Sequence, residues 1–348
     1  MVGISLLTLV PGVVGGSETY ARELVRALAR VGELEYRVFT TPLAPDAADG
    51  LPAQTVRHYR ASRTLPGRLL AMSTAAVSPA LRRELELDHL DALHFAMTLA
   101  IPPVGKPPTV VTLQDLQHEL QPQFFSRAER AWRRVVYRPS VRRARFVIVP
   151  TEHVRETAVE RLGLDPARLR VIPYGVDHKR FRPGTGAREP FLLYPANRWP
   201  HKNHERLLEA FGLVRREHPE LQLVLTGSGH EELVESRGYV SRDELAGLYA
   251  RASALVFPSL YEGFGLPPLE AMASGCPVAA SNAGSLPEVC GDAARLFDPT
   301  SAEAIAEAVL DVLADPERYA QRGLERAAEF TWERSARAHE QVYRELVS

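Results

Sequence analysis

The chain has 348 residues, with 42 basic and 43 acidic side chains, 45% hydrophobic residues and two cysteines. At about 100–200 residues per domain this length predicts two domains, each able to bury its own core; the apolar content excludes a disordered or fibrous chain, and no run of apolar residues is long enough for a membrane-spanning helix. The near-neutral sum argues against a nucleic-acid binder, yet it contains 39 arginines and only three lysines, Lys106, Lys179 and Lys202.

The start, MVGISLLTLVPG, is apolar without a charged leader and runs directly into patterned sequence, so it reads as a first strand and not as a signal peptide. Short β-branched runs then alternate with amphipathic segments. The pattern predicts strands over 2–10, 34–40, 91–95, 108–113 and 145–149, and helices over 17–30, 65–86, 126–143 and 151–162. A Pro/Gly-rich stretch, Phe181 to Gly186, has linker composition. The alternation restarts with strands over 191–195, 221–226, 253–257 and 277–281 and helices over 203–217, 241–251, 266–274 and 301–314, and a last helix follows Thr331, expected as its N-cap. Strands alternating with helices imply parallel sheets covered on both faces, hence an α/β chain of two doubly wound domains. No internal repeat or low-complexity tract interrupts it. Cys276 and Cys290 lie 14 positions apart with no CxxC spacing, so neither a disulfide framework nor a zinc site is expected. Cysteine usage and the missing span point to a cytoplasmic chain.

Three segments carry candidate chemistry. Gly12 to Glu18, with Gly15 and Gly16, lies between the first strand and the first helix, where free N–H groups attract phosphate. The segment reads equally as a plain turn capped by Ser17, and it is not a GxGxxG fingerprint. Asn197-Arg198-Trp199-Pro200-His201-Lys202-Asn203 follows a strand and precedes a helix, and Arg198 with Lys202 suits a diphosphate; the alternative is a polar turn. In Tyr261 to Glu270, Glu262 falls in a loop and Glu270 inside a helix, with Gly263 and Gly265 leaving room for a sugar ring beside backbone N–H groups. The alternative there is a helix cap and a solvated glutamate.

Two glutamates seven residues apart in EGFGLPPLE, followed by AMASGCPVAASNAGSLPEV, resemble the retaining nucleotide-sugar glycosyltransferases of family 4, which have the GT-B fold. The resemblance continues in GGSETYARELVRAL, DLQHELQPQFF, VIPYGVD, NRWPHKN, GYVSRDELAGLYARA and FTWE, and so covers nearly all of the chain. It implies two Rossmann-like domains facing a central cleft: an acceptor-side domain over 1–178, a nucleotide-sugar domain over 179–330, and a helix over 331–348, including Trp332, returning to the first. Arg198 and Lys202 match the pair that neutralises the leaving diphosphate, Glu262 the carboxylate beside the donor sugar, and Glu270 the one that binds the ribose. Gly263, Phe264, Gly265 and Leu266 would lie along sugar and phosphate. The segment Gly238-Tyr239-Val240 matches the one that reads the base, with Gly227 in the loop before it, and Gly15 and Gly16 would close over the phosphates. The family further implies transfer of a hexose, with retention, to a glycan or lipid-linked glycan. GDP-mannose is the first expectation for the donor, with UDP- and dTDP-sugars open. No cofactor is expected. No metal is expected either, since two cations on the leaving group can replace one and no DxD pair ends a strand.

One departure stands out. Where relatives read His-Asp-Leu, this chain has Gln114-Asp115-Leu116, and Gln can exchange hydrogen bonds but cannot carry a proton. His118 is read either as its substitute in the acceptor site, alongside Asp115, or as a partly exposed loop histidine. Gln114 supports the rival reading of a catalytically impaired nucleotide-sugar-binding partner subunit; a sugar-nucleotide epimerase fits the Glu262–Glu270 segment less well. Finally, residues 127–145 hold eight arginines and one acid, interleaved with Trp132, Val135, Val136 and Tyr137. This basic amphipathic stretch reads either as a peripheral contact with an anionic membrane or as a helix with its apolar stripe in the core and its arginines in solvent.

Overall fold

The computed structural model describes residues 1–13, 15–229 and 237–347. They form two compact units, Met1–Tyr174 together with Trp332–Ser348, and Gly175–Thr331. The chain passes between units at Tyr174/Gly175, four residues before the expected boundary. Val176 already belongs to the second unit, where it bridges Thr331 and its N–H donates to the Phe330 carbonyl at 3.2 Å.

The first unit is built on strands β1 (Val2–Ser5), β2 (Tyr36–Thr40), β3 (Ala53–Thr55), β4 (Ala92–Phe95), β5 (Thr109–Thr112), β6 (Phe146–Val149) and β7 (Leu169–Val171), in the order β3-β2-β1-β4-β5-β6-β7. Every pairing is parallel. β1, β4, β5 and β6 are buried along their whole length, the pattern of strands covered on both faces. The second unit has β8 (Glu189–Pro195), β9 (Gln222–Thr226), β10 (Ala252–Phe257), β11 (Val278–Ser281) and β12 (Arg295–Phe297), in the order β12-β11-β10-β8-β9, again all parallel. In each sheet the chain winds one way and then crosses back. The reversal falls between β1 and β4 in the first unit and between β8 and β10 in the second, so the loops leaving those strands diverge and open a crevice at their carboxyl ends.

The expected elements are mostly present, with informative differences. The first strand ends at Ser5, and Leu6 to Val10 continue as buried irregular chain. The helix expected over 65–86 is two, Leu65–Val77 and Pro79–Glu84, because Pro79 has no N–H to continue the first and the Ser78 hydroxyl caps the second by accepting from the Leu81 N–H. The first helix, Gly16–Val31, starts at Gly15, whose φ of 52° suits glycine, so Ser17 lies inside the helix instead of capping it. A helix over Pro316–Ala328 has no counterpart among the expected elements.

The last helix, Trp332–Val347, packs on Gly16–Val31 in the first unit and reaches the sheet through a buried polar chain. His339 Nδ1 meets the Ser335 carbonyl at 2.7 Å, which can only accept, so that nitrogen carries the proton and Nε2 accepts from Tyr20 Oη at 2.8 Å. Tyr20 Oη must then accept from Thr112 Oγ1, Thr112 from His94 Nε2, and His94 Nδ1 from Tyr343 Oη, each at 2.8 Å. In the neutral ring that burial favours, this one carbonyl sets the direction of four further bonds, and His94, donating at Nε2 and accepting at Nδ1, is neutral as well. Burial holds His339 down at about 4, and burial with the neighbouring His339 holds His94 well below the usual histidine value. The unfolded chain therefore takes up protons below about pH 6.5 that the folded one refuses, so this part of the stability is present above that pH and is lost as pH falls toward 4. Denaturant unfolding at pH 7 and pH 4.5 is expected to show a loss of roughly 2 kcal/mol from His339 alone. A His339→Gln variant is expected to show a visibly flatter dependence over the same range; equal slopes in the two proteins would refute the assignment.

Candidate functional site

In the second unit the loops after β8 and β10 meet at the winding reversal. Lys202 Nζ lies 2.5 Å from Glu262 Oε1, both side chains being about 15% exposed or less, and 5.4 Å from the centre of the Phe257 ring. The turn carrying Lys202 is fixed from several directions. Asn203 adopts a left-handed conformation, φ 60°, at a cost of roughly 1 kcal/mol for a residue other than glycine. Its carboxamide Nδ2 offsets this by donating to the Pro258 and Pro299 carbonyls at 3.1 and 2.7 Å. Tyr194 Oη donates to the Lys202 carbonyl at 2.6 Å, and the Leu260 N–H to that of His201 at 2.7 Å, tying the β8 loop to the β10 loop.

Glu262 is positioned from the other side. Ser285, after β11, donates its N–H and its hydroxyl to the Glu262 carbonyl at 3.2 and 3.0 Å, and the hydroxyl also reaches the Phe264 carbonyl at 2.8 Å. Gly284 presses against this segment: a Cβ there would lie 2.7 Å from the Glu262 oxygen and 2.9 Å from its nitrogen, at a φ of 62°. Gly265, φ 110°, precedes the helix Leu266–Ala273, in whose first turn Pro267 and Pro268 offer no N–H. The backbone donors of this corner are therefore concentrated in residues 263–266.

Glu270 is buried one turn into that helix. Its Oε1 accepts from Arg242 Nη2 at 2.8 Å and its Oε2 from Tyr249 Oη at 3.4 Å, while Arg242 lies over the Phe181 ring at 5.1 Å. The Glu270 carboxylate is thus held by a cation from the helix that follows the Gly238–Val240 segment. Gly227, φ 108°, donates its N–H to the Gly238 carbonyl at 2.7 Å, and a Cβ on it would strike the Ala196 carbonyl oxygen and Asn197 Oδ1 at 2.9 Å. Asn197 Oδ1 in turn accepts from the N–H and hydroxyl of Ser228 at 2.9 and 3.1 Å. Arg198 is exposed, anchored through its N–H to the Ser228 carbonyl at 3.0 Å, and its guanidinium has no ion-pair partner among the described residues. Tyr239 is 85% exposed and Val240 half-buried. Among the described residues no group of three His, Cys, Asp or Glu side chains is placed to hold a metal.

The remaining candidates lie in the first unit. Gly15 and Gly16 are exposed at the start of the first helix, after β1. There the Glu18 carboxylate accepts from the Gly12 N–H at 2.8 Å and from Arg22 at 3.0 Å, so part of the loop's donor capacity is already used. The Gln114 carboxamide, after β5, is engaged at both ends: Nε2 donates to the Ala96 carbonyl at 3.1 Å and Oε1 accepts from Tyr174 Oη. Tyr174 stacks on Tyr20 and Trp332 with ring centres at 4.6 and 6.0 Å. Asp115 Oδ1 accepts from the Gln117 N–H at 3.0 Å, capping a short turn.

His118 differs from the partly exposed histidine expected. It is 3% exposed, edge-on to Tyr137 and Phe125 with ring centres at 5.1 and 6.3 Å, and its Nδ1 has no hydrogen-bond partner among the described residues. Burial, helped by the Arg133 charge, brings it down to about 4, so it is neutral at physiological pH and belongs to packing more than to an open acceptor face. The arginine-rich segment forms the helix Arg127–Arg143, whose Trp132, Val136 and Tyr137 pack against the core. Arg133 covers the Phe125 and Tyr137 rings and Arg138 pairs with Glu119 at 3.3 Å. Three of its four interleaved apolar residues are thus spent inside the unit and Val135 is exposed, which favours the second of the two readings of this segment.

Residues 14–180 match the model of Glycosyltransferase Family 4, and residues 176–328 that of Glycosyl transferases group 1. The MMP α-(1→4)-mannosyltransferase of Mycolicibacterium hassiacum is 38% identical over 208 residues, 53% of this chain and 50% of that protein, so the match spans about half the length of this curated relative. The D-inositol 3-phosphate glycosyltransferase 2 of Catenulispora acidiphila is 30% identical over 386 residues, covering 95% of this chain and 90% of that one. Among solved structures, the sucrose-phosphate synthase of Thermosynechococcus elongatus superposes with a TM-score of 0.79 at 23% identity, over 99% of this chain and 98% of that one. With two Rossmann-like units and a match that runs through both, the chain belongs to the group 1, family 4 glycosyltransferases of the GT-B fold.

Proposed function

We propose that the protein is a retaining glycosyltransferase that moves a hexose from a nucleoside diphosphate sugar to a hydroxyl of a glycan or lipid-linked glycan. The observation that carries this reading is the meeting of Lys202 and Glu262 where the winding of the second sheet reverses, the place where such sheets receive ligands. An ammonium has three donors, and Glu262 occupies one, leaving two for diphosphate oxygens. Glu262 keeps a second oxygen for a hydroxyl of the donor sugar. Arg198 adds a planar, always-charged fork at the same rim. Departure of the diphosphate builds negative charge beside these cations as the sugar becomes oxocarbenium-like, and stabilising that charge supplies most of the rate. Two cations doing this support a reaction without a metal. In this reading Glu270, held by Arg242 and Tyr249, binds the ribose, and the backbone of 263–266 lies along the sugar and phosphates. Mannose is the first sugar in this reading, supported by the name of the mycolicibacterial mannosyltransferase, with GDP as its first carrier; UDP- and dTDP-sugars are the alternatives.

Gln114 supports a second reading, a nucleotide-sugar-binding subunit with impaired transfer, because its carboxamide is already bonded to Ala96 and Tyr174. Donor turnover separates the two: hydrolysis or transfer argues for the enzyme, and binding without turnover over a panel of acceptors for the subunit.

A thermal-shift screen of nucleotide sugars identifies the donor, since a ligand of the folded form raises its apparent stability. With that donor, Lys202→Ala is expected to lower kcat on the order of a hundredfold or more and Glu262→Gln roughly tenfold or more, with product of retained anomeric configuration by NMR and no loss on adding EDTA. Unchanged turnover in either variant would overturn the assignment. Gly284→Ala leaves every charge in place but forces the Glu262 backbone to move, and it is expected to weaken donor binding about tenfold, near 1.4 kcal/mol. Wild-type donor affinity in a folded Gly284→Ala protein would show that the position of Glu262 does not matter.

A further inference from the structure

We propose that the helix Leu65–Val77 of the first unit is the surface by which the protein lies on a membrane rich in anionic lipid. Arg68 is the only charged residue among its 13. Ala71 and Ala75 are buried on one face, while Pro66, Leu70, Ser73, Thr74 and Val77 are exposed on the other, Leu70 by 66% and Val77 by 77%. The two hydroxyls on that outer face are turned inward: Ser73 Oγ donates to the Leu69 carbonyl and Thr74 Oγ1 to that of Leu70, both at 2.9 Å. The face therefore shows methyl and methylene groups to its surroundings and has its polar groups satisfied within the helix, as an apolar medium requires.

The charge around it is mainly of one sign, the nearest acid in the chain, Glu84, being turned onto the Arg57 and His58 N–H groups. Residues 50–83 contain six arginines, Arg57, Arg60, Arg63, Arg68, Arg82 and Arg83, and no Asp or Glu. None of the six makes an ion pair among the described residues, and all but Arg68 are exposed. They bracket the apolar face, with Arg63 just before the capping residue Thr64 and Arg82 donating to the Ala76 carbonyl at 3.2 Å at the far end. The helix is about 20 Å long at 1.5 Å per residue, so cations stand at both ends of an apolar stripe. An interfacial helix needs both signals, buried apolar groups and attraction to anionic headgroups. A second copy of the chain fits less well, since a two-fold contact on this face would bring like charges together. The Arg127–Arg143 helix packs Trp132, Val136 and Tyr137 on the core and turns Val135 outward among exposed arginines, so it has the charge without a comparable apolar face.

The test is co-sedimentation of the full chain with vesicles of phosphatidylcholine alone and with a third of phosphatidylglycerol added. Salt-sensitive binding to the mixed vesicles is expected, about tenfold or more weaker on phosphatidylcholine. Leu70→Gln with Val77→Gln, and separately Arg57→Gln with Arg60→Gln and Arg63→Gln, should each weaken it about tenfold, without changing nucleotide-sugar binding in solution. Arg130→Gln with Arg134→Gln and Arg138→Gln should leave it nearly unchanged. Undiminished binding by the Leu70/Val77 variant would overturn the proposal. So would absence of vesicle binding with a dimer that those same substitutions dissociate, which would assign the face to a second copy.

Discussion

The contact between Lys202 and Glu262 joins two loops that leave neighbouring strands in opposite directions, and much of the second unit is arranged around keeping them there. Both side chains are largely out of water, so each charge depends on the other: removing one partner of such a pair leaves a poorly solvated charge and costs roughly 2–3 kcal/mol. That dependence explains why the surrounding backbone is so firmly specified. Asn203 accepts a left-handed conformation, Gly284 leaves no room for a side chain, and Ser285 spends its N–H and its hydroxyl on the Glu262 loop.

The same logic extends outward along the carboxyl edge of the sheet. Gly227 lets the β9 loop pass against Ala196 and Asn197, and its bond to Gly238 brings in the segment before Arg242, which in turn holds Glu270. Glu262 and Glu270 are thus each held by a cation from a neighbouring element. Arg198, anchored by its N–H to Ser228, adds a charge that has no ion-pair partner among the described residues. The first unit is organised differently. There a directed chain of buried polar groups from Tyr343 to Ser335 fastens the terminal helix to β4 and β5.

The strands of both sheets were legible because buried parallel strands read as unbroken apolar runs, as in Phe146–Val149 or Ala254–Phe257. The three-residue edge strands Ala53–Thr55, Leu169–Val171 and Arg295–Phe297 carry no such run, and their pairing comes from neighbours far away in the chain. Pro79 was the readable signal for the split helix. Lys202 could be singled out by the rarity of lysine, and Glu262 and Glu270 by their spacing and flanking glycines. Arg242 was hidden, because one arginine among 39 acquires meaning only when the fold sets it against Glu270. Gln114 was visible as a departure, but its partners Ala96 and Tyr174 are tertiary. For the arginine-rich segment composition left a membrane contact and a core-packed helix both open; the fold turns its aromatic residues inward and leaves an apolar face exposed on Leu65–Val77.

The central claim is that Lys202, held by Glu262, recognises the second phosphate of a nucleotide. Calorimetric titration of a nucleoside diphosphate and the matching monophosphate into the wild type and Lys202→Ala tests it most directly. The account predicts a preference for the diphosphate of about tenfold or more in the wild type, worth at least 1.4 kcal/mol, and its loss in the variant with monophosphate affinity nearly unchanged. An equal preference for the diphosphate in both proteins would contradict it.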